Sequence, residues 1–362
     1  MVKPNVLILG GVGFIGRNLV QFLVEKALCD HIRVVDKVLP TTAFLGKKHA
    51  DAFAKVEYMQ GNLTSPASIT KCFTLDGGRK FNYVFNLAGE TKYGQTDAVY
   101  NEKIFDVTVK CATEAAKVGV DKFIEVSTAQ VYESKKKASK EGDKIDAWTL
   151  IAKYKFNAEN KLKEIAGLNY VILRPAVVYG PGDVSGVSPR IITGAVYKFL
   201  DEKMEFLWGG DLKVNTVHVN DVCKAIWHVA LGAPKGAVFN LADKGDTDQA
   251  KINKCLEKVF AIKTGFHGSI VSNLAQLNLK AVCEQANNKH LKPWSDLCKQ
   301  KGILNTPLTP YIDQELLSNN HLAVDGTAIE ATGFKYDYPE LTEAGIREEI
   351  EYFQAQNLFP AI

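Results

Sequence analysis

Gly10, Gly13 and Gly16 stand three residues apart, just after the apolar run 5–9 and just before a helical pattern. Those residue types in that setting suit an anion. Gly10 can take the φ of a tight turn, Gly13 lets the backbone approach a pyrophosphate, and Gly16 lets helix and strand pack closely. The free N–H groups at the helix start, around Phe14 and Ile15, combine with the helix dipole to attract negative charge. Asp36 closes the run 33–36, roughly 20 residues beyond the loop, where an acid accepts hydrogen bonds from a ribose 2′-hydroxyl. A 2′-phosphate is repelled there, which favours NAD(H). Lys37 and Arg33 leave NADP(H) open, since either would pair with a phosphate if it faced inward. The seven histidines contain no close pair and no H-E-x-x-H, so no metal site is expected.

These residues need a scaffold, and the hydrophobic pattern supplies one. Short apolar runs at 5–9, 32–35, 56–60, 83–87, 122–127 and 170–173 read as strands buried on both faces. Helical patterns such as 17–27, with Leu19, Val20, Leu23 and Val24 on one side, and 108–118 alternate with them. Alternation of this kind predicts right-handed crossovers and an α/β, Rossmann-type doubly wound parallel sheet. Glycine and proline punctuate the chain from 180 to 189, after which helices dominate except for a strand at 238–241. We therefore expect a dinucleotide-binding domain over 1–180 and a smaller, mainly helical substrate lobe over 181–362, with 210–245 returning to the first domain. Pro293, Pro307 and Pro310 are expected to interrupt the stretch 266–323.

The 362 residues carry a net charge of +3 from 44 basic and 41 acidic side chains, too balanced for nucleic acid or an anionic membrane as the main partner. The cluster Lys135, Lys136, Lys137 and Lys140 reads as a solvated loop. Seven scattered cysteines without a C-x-x-C favour reduced thiols. No run of about 18 apolar residues is present and the first residues do not resemble a signal peptide, so a cytoplasmic protein is expected.

With its glycines spaced G-x-x-G-x-x-G, the sequence resembles the short-chain dehydrogenase/reductase superfamily. Later motifs are similar to its extended, NAD-dependent epimerase/dehydratase-like branch. They are Gly61-Asn62-Leu63, Asn86-Leu87-Ala88-Gly89, Val126-Ser127-Thr128-Ala129-Gln130-Val131-Tyr132, Leu173-Arg174-Pro175 with Val178-Tyr179-Gly180-Pro181-Gly182, and Val217-His218-Val219-Asn220-Asp221. The resemblance implies that Asn62 and Leu63 lie near adenine, that Leu87, Ala88 and Pro175 line the cofactor, and that Thr128 is the catalytic hydroxyl. It also implies a substrate of the sugar-nucleotide or sterol-like kind. A homodimer through two long helices follows from the same likeness, one helix lying around 149–166.

The family's hydride transfer needs a Tyr with a Lys four residues later, the ammonium favouring phenolate and holding the nicotinamide ribose. In 148–159, matching the family's tail puts Lys155 at the lysine position and Ile151 at the tyrosine position; choosing Lys153 instead puts Thr149 there. Neither register supplies a phenol. Tyr93 is the substitute candidate, while Tyr154 should point away from Lys155 on a helix. Arg174 is a candidate anchor for the cofactor loop, His218 reads as a satisfied core histidine, and Lys213 takes the place of the basic residue that grips a diphosphate in sugar-nucleotide enzymes. Two readings follow: an NAD-dependent oxidoreductase or epimerase with an unusual proton-transfer group, or a catalytically inactive member serving as a cofactor sensor or as a structural subunit of a protein assembly.

Overall fold

Strands that read as apolar runs form one parallel sheet in the computed structural model, which describes residues 3–361. In chain order the strands are β1 (Asn5–Leu9), β2 (His31–Asp36), β3 (Glu57–Gln60), β4 (Tyr83–Asn86), β5 (Lys122–Val126), β6 (Tyr170–Pro175), β7 (Val177–Tyr179), β8 (Met204–Phe206), β9 (Thr216–His218), β10 (Val238–Leu241) and β11 (Thr264–Phe266). Seven of them line up as β10-β6-β5-β4-β1-β2-β3, all parallel. The order reverses between β1 and β4, and at such a switch point the carboxyl ends of the strands leave a crevice for a ligand. The short pairs β7/β9 and β8/β11 lie outside this sheet.

Helices cover both faces, which explains the near-continuous hydrophobicity of the central strands. On one face, Leu19 and Leu23 of the Phe14–Glu25 helix and Val222 and Ile226 of the Val219–Gly232 helix pack with Ile8 and Val34. On the other, Ile69 and Phe73 of the Pro66–Phe73 helix and Cys111 and Ala115 of the Val107–Lys117 helix meet Leu7, Val84 and Phe123. Beyond Gly182, helices Ser188–Leu200, Gln249–Phe260, Leu279–Gln300 and Glu343–Gln354 share a separate apolar cluster that includes Ile191, Leu256, Trp294 and Phe353.

Several boundaries shift for local reasons. The first helix begins at Phe14, not 17, because Gly13 is its extended cap, and it ends before Ala27, whose φ is +48°. Pro293 does not interrupt its segment. It lies inside the Leu279–Gln300 helix, where Trp294, Leu297 and Cys298 are buried in the second cluster and offset the missing N–H. The lysine cluster is a surface loop with Lys135 paired to Asp143 and Lys136 to Asp211. Among the described residues no helix is long and apolar enough to cross a membrane.

Candidate functional site

A cleft of about 740 Å³ follows the carboxyl edge of the sheet. Fourteen of the candidate residues from the sequence lie on its wall: Gly10, Gly13, Phe14, Ile15, Gly16, Asp36, Asn62, Leu63, Leu87, Ala88 and Pro175 toward the sheet, with Tyr93, Thr128 and Lys155 further along; Thr149, Lys153 and Arg174 do not. The glycine loop is shaped by close approach. Gly10 has φ +75°, and a Cβ there would stand 2.7 Å from the Ala88 nitrogen; at Gly16 a Cβ would stand 2.5 Å from the Gly11 backbone. The first helical bond runs from the Arg17 N–H to the Gly13 carbonyl at 2.9 Å, and no side chain caps the helix. The N–H groups of Phe14, Ile15 and Gly16 thus remain for an anion.

Asp36 is held where its carboxylate can face a ribose. Its Oδ2 accepts the Val12 N–H and its Oδ1 the Val38 N–H, both at 3.0 Å, which leaves further lone pairs for hydroxyl donors. Arg33 points away from the cleft: it donates to Glu57 at 2.9 Å and to the carbonyls of Cys72 and Thr74. Of the two basic residues that left a 2′-phosphate open, only Lys37 lines the cleft. Asn62 uses its Oδ1 to accept from Thr64, keeping its amide N–H groups for a ligand.

At the far end the polar groups are engaged with one another. Ile151 occupies the wall. Thr149, the other candidate at the tyrosine position, is buried as the cap of the Leu150–Leu162 helix, accepting the Ala152 N–H at 3.1 Å and donating to Gln130 at 3.0 Å. Tyr93 exchanges hydrogen bonds with the Gln130 amide at 3.2 and 3.3 Å, and burial pushes its phenol up to about 12. That is the wrong direction for a base near neutral pH. Tyr154 turns outward to Asp97 at 2.8 Å, as helical geometry requires. Thr128 Oγ accepts the Gln130 N–H at 3.2 Å and keeps its proton to donate.

Lys155 is tied to a partner that sequence reasoning missed. Its Nζ lies 3.0 Å from Glu125 Oε1 and 2.8 Å from the Val126 carbonyl oxygen. Glu125 is wholly buried at the end of β5 and also accepts from the Asn86 amide at 2.5 Å. Burial raises its carboxyl above the ordinary range, and the Lys155 ammonium opposes that rise. The available signal was a lone acid in the run Phe123-Ile124-Glu125-Val126. One turn along, Glu159 pairs with Arg174, both nearly sealed from solvent, and accepts from Ser127; Arg174 also donates to Tyr132 at 2.7 Å. Arg174 therefore anchors the helix that carries Lys155, not the cofactor loop, because Glu159 is its buried countercharge.

The C-terminal lobe completes the wall with Tyr311, Ile312, Leu316 and Leu322. Glu315 reaches across to accept the Leu150 N–H at 3.0 Å, capping the same helix from 165 residues away. Lys213 pairs with Asp246 at 2.5 Å and Asp248 at 3.9 Å. His218 is fully buried and stacked on Tyr338 at 3.7 Å; its Nε2 makes no hydrogen bond and has only Glu348 Oε2 nearby, at 3.5 Å, so it is only half satisfied. Its Nδ1 caps the next helix through the Asn220 N–H.

A model of the NAD dependent epimerase/dehydratase family matches residues 6–242. UDP-glucose 4-epimerase 3 of Oryza sativa subsp. japonica is 25% identical over 214 residues, 55% of this chain and 56% of that protein. The chain thus matches little more than half the length of that curated relative. Among solved structures, the UDP-N-acetylglucosamine 4-epimerase from Methanobrevibacter ruminantium M1, in complex with UDP-N-acetylmuramic acid, superposes with a TM-score of 0.71 at 20% identity, covering 98% of this chain and 100% of that one. A double mutant of DesIV, a dTDP-glucose 4,6-dehydratase from Streptomyces venezuelae with NAD and DAU bound, gives 0.68 at 18% identity and 97% coverage of both. Sheet order, switch-point cleft and the family match over 6–242 agree: this chain belongs to the NAD-dependent epimerase/dehydratase family.

Proposed function

We propose that this chain binds NAD(H) along the cleft and acts, as an oxidoreductase or epimerase, on a hydroxyl or carbonyl substrate of the sugar-nucleotide or sterol-like class, without a tyrosine as its proton-transfer group. The observation that carries this reading is the uncapped Phe14–Glu25 helix start facing the same cleft as the Asp36 carboxylate. Gly10, Gly13, Phe14, Ile15 and Gly16 would hold the pyrophosphate, Asp36 the ribose, Asn62 and Leu63 the adenine side, and Leu87, Ala88 and Pro175 the nicotinamide side. The bound coenzyme supplies hydride acceptance and donation. Thr128 would orient the substrate oxygen by donating a hydrogen bond to it, without giving up its proton. Lys155 has three N–H donors, of which Glu125 and Val126 take two, so one remains for a ribose hydroxyl.

The relatives support the ligand class: DesIV was solved with NAD, and MoeE5 with UDP-glucose and NAD. Calorimetry with NADH and NADPH tests the coenzyme, with saturable binding and a preference for NADH expected. A panel of sugar nucleotides and sterol-like alcohols, read at the nicotinamide absorbance band, tests the chemistry. Absence of turnover alongside intact NADH binding counts against the enzyme reading.

One observation favours a second reading, an inactive member serving as a cofactor sensor or as a structural subunit: Ile151, which takes the tyrosine position when Lys155 is matched to the family's lysine, lines the cleft without an ionisable group. On that reading Ile151→Tyr is required for any conventional turnover. Losing positioned acid/base catalysis costs about a hundred- to ten-thousand-fold, so the gain is expected to be of that order.

A further inference from the structure

The end of the cleft away from the glycine loop is walled mainly by carbon. Leu212, Val214, Ile312 and Leu316 line it, together with Trp148 and Ile151 beside the start of the Leu150–Leu162 helix. The Glu315 carboxylate, between Ile312 and Leu316 in sequence, is turned to the Leu150 N–H at 3.0 Å and ties these two sides together. Polar side chains of the same wall are occupied among themselves. Ser318 donates to the Glu315 carbonyl at 2.8 Å and accepts from Asn320 at 2.7 Å, and Gln130 is shared between Tyr93 and Thr149.

A phosphate-bearing substrate would need a cation at this end, and among the described residues none of the six cations lining the cleft stands open there. Lys213 pairs with Asp246 and Asp248, Lys103 with Glu90, and Lys155 with Glu125. Arg190 lies against the Phe206 ring at 5.1 Å and donates to Gln249, not to a carboxylate, while its Nη1 is sealed from solvent. Lys37 and Arg17 belong to the glycine-loop end, where Arg17 donates to the carbonyls of Val12, Ala43 and Phe44. An anion set among apolar groups without a free cation loses its hydration and regains little, whereas apolar surface buried in the same place is favoured. Thr128 keeps one hydroxyl proton to donate, which suffices to orient a single alcohol or carbonyl oxygen.

We propose that the substrate is an uncharged, largely apolar alcohol or ketone, its reacting oxygen on Thr128 and its carbon skeleton against Trp148, Ile151, Leu212, Val214, Ile312 and Leu316, and that phosphate-bearing sugars are excluded. This rests on the reading of the cleft as a joint coenzyme and substrate site, and it chooses between the two substrate classes which that reading leaves open.

The test is calorimetric titration of the full chain with progesterone as a rigid ketone, 2-undecanone as a flexible one, and UDP-glucose. Each is run with and without saturating NAD+, which cannot reduce a ketone. At least one ketone is expected to bind wild type saturably, with UDP-glucose weaker by about tenfold or silent. Leu316→Asn and Ile312→Thr, which set a polar group into the wall, should each weaken that ketone about fivefold or more and leave NAD+ affinity within about twofold. Lys213→Gln should change no probe by more than about twofold. A second measurement stands even if a wall variant fails to fold: progesterone should quench tryptophan emission, and less so in Trp148→Phe. The proposal is overturned by UDP-glucose binding as tightly as the better ketone, or by neither ketone binding wild type in either coenzyme state. It is equally overturned if both wall variants and Trp148→Phe leave the ketone signals unchanged. Coenzyme binding is scored separately. Ketone binding with NAD+ silent removes the coenzyme reading and leaves the apolar wall standing, whereas NAD+ binding with both ketones silent does the reverse.

Discussion

At the glycine-loop end of the cleft, the groups presented to a ligand are free or fixed in readiness, whereas at the Ile151 end they are engaged with each other. The loop offers three N–H groups without helical partners and an aspartate oriented by two backbone donors. The other end couples Tyr93 to Gln130 to Thr149, and Lys155 to Glu125, around an isoleucine that cannot move a proton. The first end is set by backbone geometry, which many sequences satisfy, whereas the second depends on single side chains. The same contrast runs through the sequence, where the G-x-x-G-x-x-G spacing and Asp36 are present while neither register of 148–159 supplies a phenol.

The contrast can be broken at the helix that carries Ile151 and Lys155. Glu159→Ala leaves Arg174 buried without its countercharge, which typically costs about 3–5 kcal/mol. Urea denaturation should show that loss, and Glu159→Gln should recover part of it; equal stability of Ala variant and wild type would mean the pair does not hold the helix.

Acid is expected to loosen the seam behind the glycine loop. His49 is buried between Asn18 and Tyr352, and burial, with Arg17 and Lys48 nearby, lowers its pKa from 6.5 to about 3. Between those values the unfolded chain binds a proton that the folded chain refuses, so stability falls as pH drops from about 6.5 toward 3. Integrating down to about pH 4.5 gives a loss of roughly 2–3 kcal/mol. Melting curves of His49→Gln against pH should be flatter in this window; parallel curves would contradict the assignment.

Asp36→Asn sharpens the coenzyme side. Charged hydrogen bonds contribute about 1.5–3 kcal/mol, so NADH affinity should fall about tenfold or more while NADPH affinity rises relative to it. Unchanged selectivity would move the ribose elsewhere. The smallest effect is expected at Tyr93→Phe, where one neutral hydrogen bond pair is lost, about 0.5–1.5 kcal/mol of stability. NADH affinity should not change; a large loss of turnover with any substrate found would restore Tyr93 as the proton-transfer group.

Much of this was legible in the chain because it is local. Strand runs such as 5–9 and 238–241 coincide with the observed strands, and the glycine spacing with Asp36 marks the loop in the sequence itself. Features formed across the sheet were not. Glu125 meets Lys155 only because β5 delivers it beneath the Leu150–Leu162 helix, and it meets Asn86 only through the β4–β5 register. Glu315 capping Leu150, and Arg190 left without a carboxylate, depend on how the C-terminal lobe folds back, which periodicity does not encode.

Coenzyme binding by the unmodified protein is what the loop, Asp36 and the cleft together require. Titrating the full chain with NADH in a calorimeter should give a saturable isotherm at one site per chain, with NADPH weaker under the same conditions. A flat trace with both nucleotides would contradict the claim that the loop, Asp36 and the cleft form a coenzyme site.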